Sequence, residues 1–157
     1  MLSLLEHIGS RKIMVSQMNQ YFSEGLLQHM AEEARHAFFF KRQAHRFAGH
    51  EVEGYTEDNT LARQAAAMYF ARLDAEVSRH VSDFMPAAHA PYLAVSLIVE
   101  LRACWAYPLY HAALERAGIP LSLKSIMAEE DAHLDEMYTQ LMALTGSSQL
   151  DLDALSA

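Results

Sequence analysis

Two short stretches of the chain have the residue types and spacing of a metal site. Glu33 and His36 are three residues apart, and Glu130 and His133 repeat that spacing later in the sequence. In an α-helix, residues three apart lie on the same face, so each pair can present one carboxylate and one imidazole to a shared centre. Carboxylate oxygen together with imidazole nitrogen suits iron or manganese. The two pairs therefore predict a metal site built from two helices.

The composition predicts a single helical domain. The 157 residues can bury a core, and 52% of them are hydrophobic, which is typical of a globular protein. Six glycines and few β-branched runs leave almost no signal for a sheet. We therefore predict an all-α fold with one domain over residues 1–146, followed by a flexible acidic tail over residues 147–157.

Charge and cysteine content limit the partners and the compartment. The formal net charge of -8 argues against a nucleic-acid surface, which needs a basic face. The one cysteine, Cys104, has no second cysteine for an internal disulfide, which fits a reducing cytosol. Residues 1–5 lack the charge of a signal peptide, and no run of about eighteen apolar residues predicts a membrane span. We expect a cytoplasmic protein.

Apolar periodicity predicts the helices. They are expected over about residues 2–20, 24–48, 56–84, 91–117 and 122–144. Ser23 is suited to cap the second helix and Gly49 to end it. Thr56, followed by two acidic residues, is expected to begin the third helix, whose inner face would include Leu61 and Met68.

Two lone acidic residues complete a repeated order of acids and histidines. Glu6 lies on the first helix and Glu100 on the fourth, each ahead of one Glu/His pair. If the first two helices form an antiparallel hairpin, Glu6 and Glu33 lie at the same level. In a hairpin of the fourth and fifth helices with its turn near Gly118, Glu100 would be about 10 Å out of level with Glu130.

This order of ligands resembles the ferritin-like di-iron carboxylate superfamily. The string Glu32-Glu33-Ala34-Arg35-His36-Ala37 is especially similar to the second-helix motif of its oxygenase-type members, and the resemblance covers about residues 2–145. It implies a ferritin-like four-helix bundle, with the third helix as an additional crossover helix. It also implies two iron ions, or manganese, bound by Glu6, Glu33, His36, Glu100, Glu130 and His133, with Glu33 and Glu130 as bridging carboxylates.

The resemblance implies an oxidoreductase. The expected activity is that of a di-iron oxidase or oxygenase, which activates O2 to oxidise a small organic substrate. The alternatives are an iron-handling protein, for ferroxidase activity or peroxide detoxification, and a metal-free helical interaction module. The apolar outer sides of the second and fourth helices also predict a homodimer.

Several residues have a second interpretation. The Glu/His pairs can be ordinary helical contacts on a solvated face, and Glu6 can be a surface acid at a helix start. His29, one turn before Glu33, is either an extra ligand or a core histidine. Glu76 and His80 form a rival ligand pair if the third helix takes the place of the first in the bundle.

Overall fold

The computed structural model describes residues 1–16, 23–84 and 89–145. Five α-helices are present in these ranges: α1 (Leu2–Ser16), α2 (Glu24–Ala48), α3 (Arg63–Phe84), α4 (Ala90–Arg116) and α5 (Lys124–Thr145). Residues outside helices in the described ranges form turns or irregular structure and no strand, so the all-α prediction is confirmed. The four-helix bundle with a crossover helix stays a prediction. The predicted tail, and the end of the first predicted helix at residues 17–20, lie outside the described residues.

The ends of α2 agree with the sequence signals. The Ser23 side chain accepts a hydrogen bond from the backbone N–H of Leu26 at 3.1 Å, which satisfies one of the free donors at the helix start. Gly49 has φ 72°, the left-handed conformation that glycine adopts easily, and its N–H donates to the carbonyl of His45. The predicted bounds of this helix are confirmed.

The predicted start of the third helix at Thr56 is wrong, because α3 begins at Arg63. Thr56 instead opens a turn, in which the N–H of Asn59 donates to the Thr56 carbonyl at 3.2 Å. Ala62, the residue before the helix, has φ 52° and lies in the left-handed region, which a right-handed helix does not pass through. The hydrogen-bonded turn at Thr56 and the left-handed backbone at Ala62 therefore move the start of the helix to Arg63.

The predicted inner face of the third helix is also wrong. Leu61 precedes the helix and is 76% exposed, and Met68 is 50% exposed. The buried apolar residues of α3 are Ala66, Phe70 and Val81. Apolar residues occur on more than one side of this helix, so periodicity alone left its orientation open.

The chain divides into two compact units, which we describe separately. The first unit comprises residues 1–73 and the second residues 74–157, with the boundary inside α3. In the first unit α1 packs on α2, and in the second unit α4 packs on α5. The two predicted helix pairs are therefore present.

In the first unit α1 and α2 run antiparallel. Near the start of α1, the Ser3 hydroxyl donates to the carbonyl of Ala37 at 2.7 Å. Nearly two turns further on, the Ser10 hydroxyl donates to the carbonyl of Met30 at 3.3 Å. Residue numbers thus rise along α1 while their partners fall along α2, which fixes the direction and the register of the pair.

The segment between α2 and α3 contacts the start of α1 through the side chain of Tyr55. The Tyr55 hydroxyl lies 2.8 Å from the Ser3 hydroxyl, and the Tyr55 ring stacks on His7 with 5.4 Å between centroids. Lys41 of α2 donates to the carbonyl of Gly54 at 2.6 Å and lies over the Tyr55 ring. The loop therefore joins both helices of the first unit through one tyrosine.

In the second unit α4 is apolar on most of its sides. Its first two turns are buried, with Leu93 at 1% and Val95 at 4% exposure. Further along, Leu101, Trp105 and Leu109 are 40%, 75% and 70% exposed. Because these three are four residues apart, they form one exposed apolar stripe, which we call the α4 stripe.

Among the described residues, α4 is the one helix that is long and apolar enough to cross a membrane. Of its most apolar window, 44% is buried within the protein. The core helix of a soluble protein passes the same test of length and composition, so this is weak evidence for a membrane span. The absence of a membrane partner stays a prediction.

Candidate metal centre

The first unit brings three of the predicted ligands together. Glu6 lies on α1 between the two serines that bond to α2, and Glu33 and His36 lie on α2 between the acceptors of those bonds. The antiparallel register therefore puts the three residues at one level, as predicted. Their exposed fractions are 7%, 4% and 0%. The alternatives of a surface acid for Glu6 and of a solvated contact for Glu33 and His36 are wrong.

The ligand atoms of these residues are separated by distances typical of a shared ion. His36 Nδ1 lies 3.7 Å from Glu6 Oε2 and 3.9 Å from Glu33 Oε1. Each residue offers an atom such that all lie within 4.8 Å of one another. The two measured separations exceed ordinary hydrogen-bond lengths. Two ligand atoms that each lie about 2.1 Å from one ion are at most about 4.2 Å apart. This buried group could hold a metal ion.

Gly9 makes room for the Glu33 carboxylate. A Cβ atom placed on Gly9 would lie 2.8 Å from Glu33 Oε2, closer than real Cβ atoms approach an oxygen. A glycine inside a helix costs stability, so its use here is explained by the space that the carboxylate occupies. The close neighbour of Gly9 is therefore a side chain of α2.

His29 also belongs to this buried group. It lies on α2 one turn before Glu33, is 2% exposed, and has its Nε2 atom 3.8 Å from Glu33 Oε1. The sequence left open whether His29 is a ligand or a core histidine. The structure places it where it could take part in metal binding, because it offers a ligand atom within 4.8 Å of one from Glu33.

The second unit buries the other three predicted ligands. Glu100 of α4 is 3% exposed, and Glu130 and His133 of α5 are 1% and 4% exposed. Glu100 and His133 offer ligand atoms within 4.8 Å of each other. The alternative of a solvated Glu/His contact is wrong for this pair too.

The predicted offset of about 10 Å between Glu100 and Glu130 stays a prediction. The seven residues from Ala117 to Leu123 between α4 and α5 are not helical. The side chains of Glu100 and His133 nevertheless offer ligand atoms that lie close to each other.

A cysteine lies beside the ligands of the second unit. The partial burial of Cys104, together with its hydrogen bond to Asp131 and the nearby Glu130, raises the pKa of the thiol to about 12. Burial is the largest cause, because it disfavours the charged thiolate, and the two carboxylates act in the same direction. Cys104 is therefore a neutral thiol at physiological pH.

The rival ligand pair lies on the surface. Glu76 and His80 of α3 are both exposed, and neither belongs to a buried group that could hold a metal in the described part of the chain. The Arg79 side chain bonds to Glu76 and lowers the pKa of that carboxyl. This pair has the bonding of an ordinary helix surface.

Comparisons with known proteins give no match, so the interpretation of the site rests on the residues themselves. No protein family, no curated protein and no solved structure matches the chain.

Proposed function

We propose that the protein is a di-iron oxidoreductase that uses O2 to oxidise a small organic molecule. The first unit would contribute Glu6, Glu33 and His36, and the second unit Glu100, Glu130 and His133. The observation that carries the proposal is that all six residues, which the resemblance to the ferritin-like family implies as ligands, are at most 7% exposed. Burial of so many ionisable groups has a high free-energy cost unless cations or protons compensate their charge.

The donor set fits two divalent ions. Four carboxylates would neutralise the four charges of two M²⁺ ions, which reduces the cost of keeping the ions away from water. The imidazoles of His36 and His133 add nitrogen ligands, and a mixture of oxygen and nitrogen suits iron and manganese. The space above Gly9 keeps one oxygen of Glu33 free of steric overlap with α1.

Iron, when bound, would supply the electrons that reduce O2. The residues around the site would hold the ligand side chains in place and exclude bulk water. The imidazoles of His29 and His36 already lie within 4 Å of the Glu33 Oε1 atom. Groups that are already close together need little rearrangement when an ion binds.

Each unit also has an aromatic residue on the same helix as its proposed ligands. Phe40 follows His36 by one turn on α2 and is 9% exposed. Tyr107 follows Glu100 by two turns on α4 and is 3% exposed. Binding sites for small molecules are commonly lined by aromatic side chains with few polar groups, which supports a small, largely apolar substrate.

The first test is the metal content after anaerobic reconstitution with Fe(II), followed by an absorption spectrum on exposure to air. We expect two irons per chain and new near-ultraviolet bands from oxygen bound to Fe(III). His36→Ala and Glu130→Ala should each lose at least one iron, whereas His80→Ala, at an exposed position of α3, should lose none. Full occupancy in both ligand variants would show that the ligand assignment is wrong.

The same experiment separates the two iron-dependent functions. An oxidase or oxygenase should bind two irons per chain and reduce O2 faster when a suitable organic substrate is present. Continued oxidation of added Fe(II) beyond two per chain would instead support an iron-handling protein. No iron and no spectral change would support the metal-free interaction module.

A further inference from the structure

Two histidines of α2 approach the same carboxylate oxygen. His29 Nε2 lies 3.8 Å from Glu33 Oε1, and His36 Nδ1 lies 3.9 Å from that oxygen. Both imidazoles are almost fully buried, with side-chain exposures of 2% and 0%. Both separations suit two ligands of one ion better than a hydrogen bond.

The two imidazoles reach Glu33 from opposite directions along the helix. His29 and His36 are seven residues apart, which is nearly two full turns, so they lie on one face with about 10.5 Å between their backbone positions. Glu33 lies between them in sequence. His29 thus precedes Glu33 by one turn and His36 follows it by one turn, which is suited to two neighbouring ions about 3.5–4 Å apart.

The surroundings of the two histidines differ. His36 has Glu6 as a second neighbour, with 3.7 Å between His36 Nδ1 and Glu6 Oε2. Glu6, Glu33 and His36 form one group of ligand atoms, and His29 with Glu33 belongs to another. Glu33 is therefore the residue common to both groups.

We propose that His29 is a metal ligand, and that His29 and His36 bind different metal ions with Glu33 between them. The inference rests on the proposed di-metal centre and adds a third imidazole to its six ligands. The first unit would then contact both ions by itself, and the centre would be asymmetric, with two histidines from α2 and one from α5.

Protein loaded with Co(II) tests the number of bound imidazoles without a substitution. An imidazole that binds Co(II) through one nitrogen carries an exchangeable N–H on the other, and the proton resonance of that N–H is strongly shifted by the metal. We expect three such resonances, from His29, His36 and His133. Two resonances with two bound Co(II) ions would overturn the inference and leave the proposed function standing, whereas no Co(II) binding would overturn both.

Variants test which ion each histidine binds. Loss of a partner that merely orients a ligand weakens metal binding by about 10–100-fold, so loss of a ligand should cost at least about 100-fold for one ion. His29→Ala should therefore bind one Co(II) tightly and the second at least about 100-fold more weakly. His45→Ala is the matched control, because His45 lies on the same helix and has its Nε2 3.2 Å from the Val52 carbonyl in the loop. It should bind both ions normally.

The double variant distinguishes different ions from a shared ion. His29→Ala/His36→Ala should lose tight binding of both Co(II) ions, because each substitution removes a ligand of a separate ion. One ion retained at wild-type affinity would show that both histidines bind the same ion, which overturns the assignment. Wild-type affinity for both ions in His29→Ala would overturn His29 as a ligand. If His29→Ala fails to fold, the number of shifted N–H resonances in the unmodified protein decides whether His29 is a ligand.

Discussion

Glu33 makes three close approaches in the first unit, and each involves a different residue. Its Oε1 atom lies near His29 and His36, and its Oε2 atom lies where a side chain on Gly9 would be. A small displacement of this carboxylate would therefore change its position relative to two potential nitrogen ligands. Gly9 faces Oε2, so a larger residue at this position is the most direct way to displace the carboxylate.

Gly9→Ala is expected to weaken metal binding without unfolding the protein. The added Cβ would lie 2.8 Å from Glu33 Oε2, so the flexible carboxylate must move. We expect about tenfold weaker Co(II) binding, comparable to the loss of a group that orients a ligand. Titration with Co(II) measures the effect. Arg11→Ala, at an exposed position of α1, is the control and should bind normally. Unchanged binding in Gly9→Ala would contradict the role of this glycine.

Cys104 is expected to react slowly with iodoacetamide. The pKa of its thiol is raised to about 12 because burial and the Asp131 carboxylate disfavour the thiolate, the reactive form. At pH 8 about one thiol in 10⁴ is ionised, so alkylation should be about a thousandfold slower than for an ordinary thiol of pKa about 8.5. Mass spectrometry at timed intervals measures the rate.

A substitution tests the effect of the Asp131 charge on the alkylation of Cys104, and a denaturant tests the effect of burial. Asp131→Asn removes one raising charge and should speed alkylation of the folded protein, while unfolding in urea should restore the rate of an ordinary thiol. Equal rates in the folded and unfolded protein would contradict the raised pKa.

The proximity of Glu33 and His36 was predictable because their relation is local. The spacing of Glu33 and His36 fixes a common helix face whatever the rest of the protein does. The role of Gly9 and the position of His29 were not predictable in the same way. They depend on the register of α1 against α2, which arises from packing between residues distant in sequence.

At the scale of elements, the loop before α3 is held by Tyr55. Tyr55→Phe removes the hydroxyl that contacts the Ser3 hydroxyl at 2.8 Å, and it retains the ring that stacks on His7. We expect the free energy of unfolding in urea to fall by about 1 kcal/mol. Tyr138→Phe, at a 41% exposed position of α5, should have no measurable effect. Equal losses in the two variants would show that the contact is not stabilising.

The same loop shows where sequence-based prediction of elements fails. The ends of α2 were predictable because Ser23 and Gly49 act through adjacent backbone groups. Thr56 carries the same type of signal, followed by two acidic residues, but it opens a turn. A hydroxyl residue favours turns and helix starts alike, so the choice between them depends on contacts such as those of Tyr55.

At the scale of the whole molecule, we propose that a second copy of the chain covers the α4 stripe. Trp105 and Leu109 are 75% and 70% exposed, and tryptophan is the residue most often dominant in protein interfaces. Trp105→Glu should therefore weaken the dimer at least about 30-fold, the equivalent of about 2 kcal/mol. Size-exclusion chromatography with light scattering measures the mass.

The oligomer experiment has a control in the first unit. Leu61→Glu changes a residue that is 76% exposed and lies outside the helices, so the dimer should persist. A monomeric wild-type protein at micromolar concentration would contradict the proposed dimer.

The fold class was predictable because helical periodicity and composition are properties of short segments. The apolar character of α4 was likewise visible in the sequence, but its division into a buried start and an exposed stripe was not. That division depends on which neighbours cover each turn.

Gly9 has a consequence for selection experiments. Inside a helix, alanine is more favourable than glycine by about 1 kcal/mol, so a library screened for thermal stability should enrich Gly9→Ala. The same substitution would push the Glu33 carboxylate from its place beside α1. Stability and metal retention would thus be under opposing selection at this position. A screen that scores heat resistance alone would therefore select proteins with weaker metal binding at the proposed site.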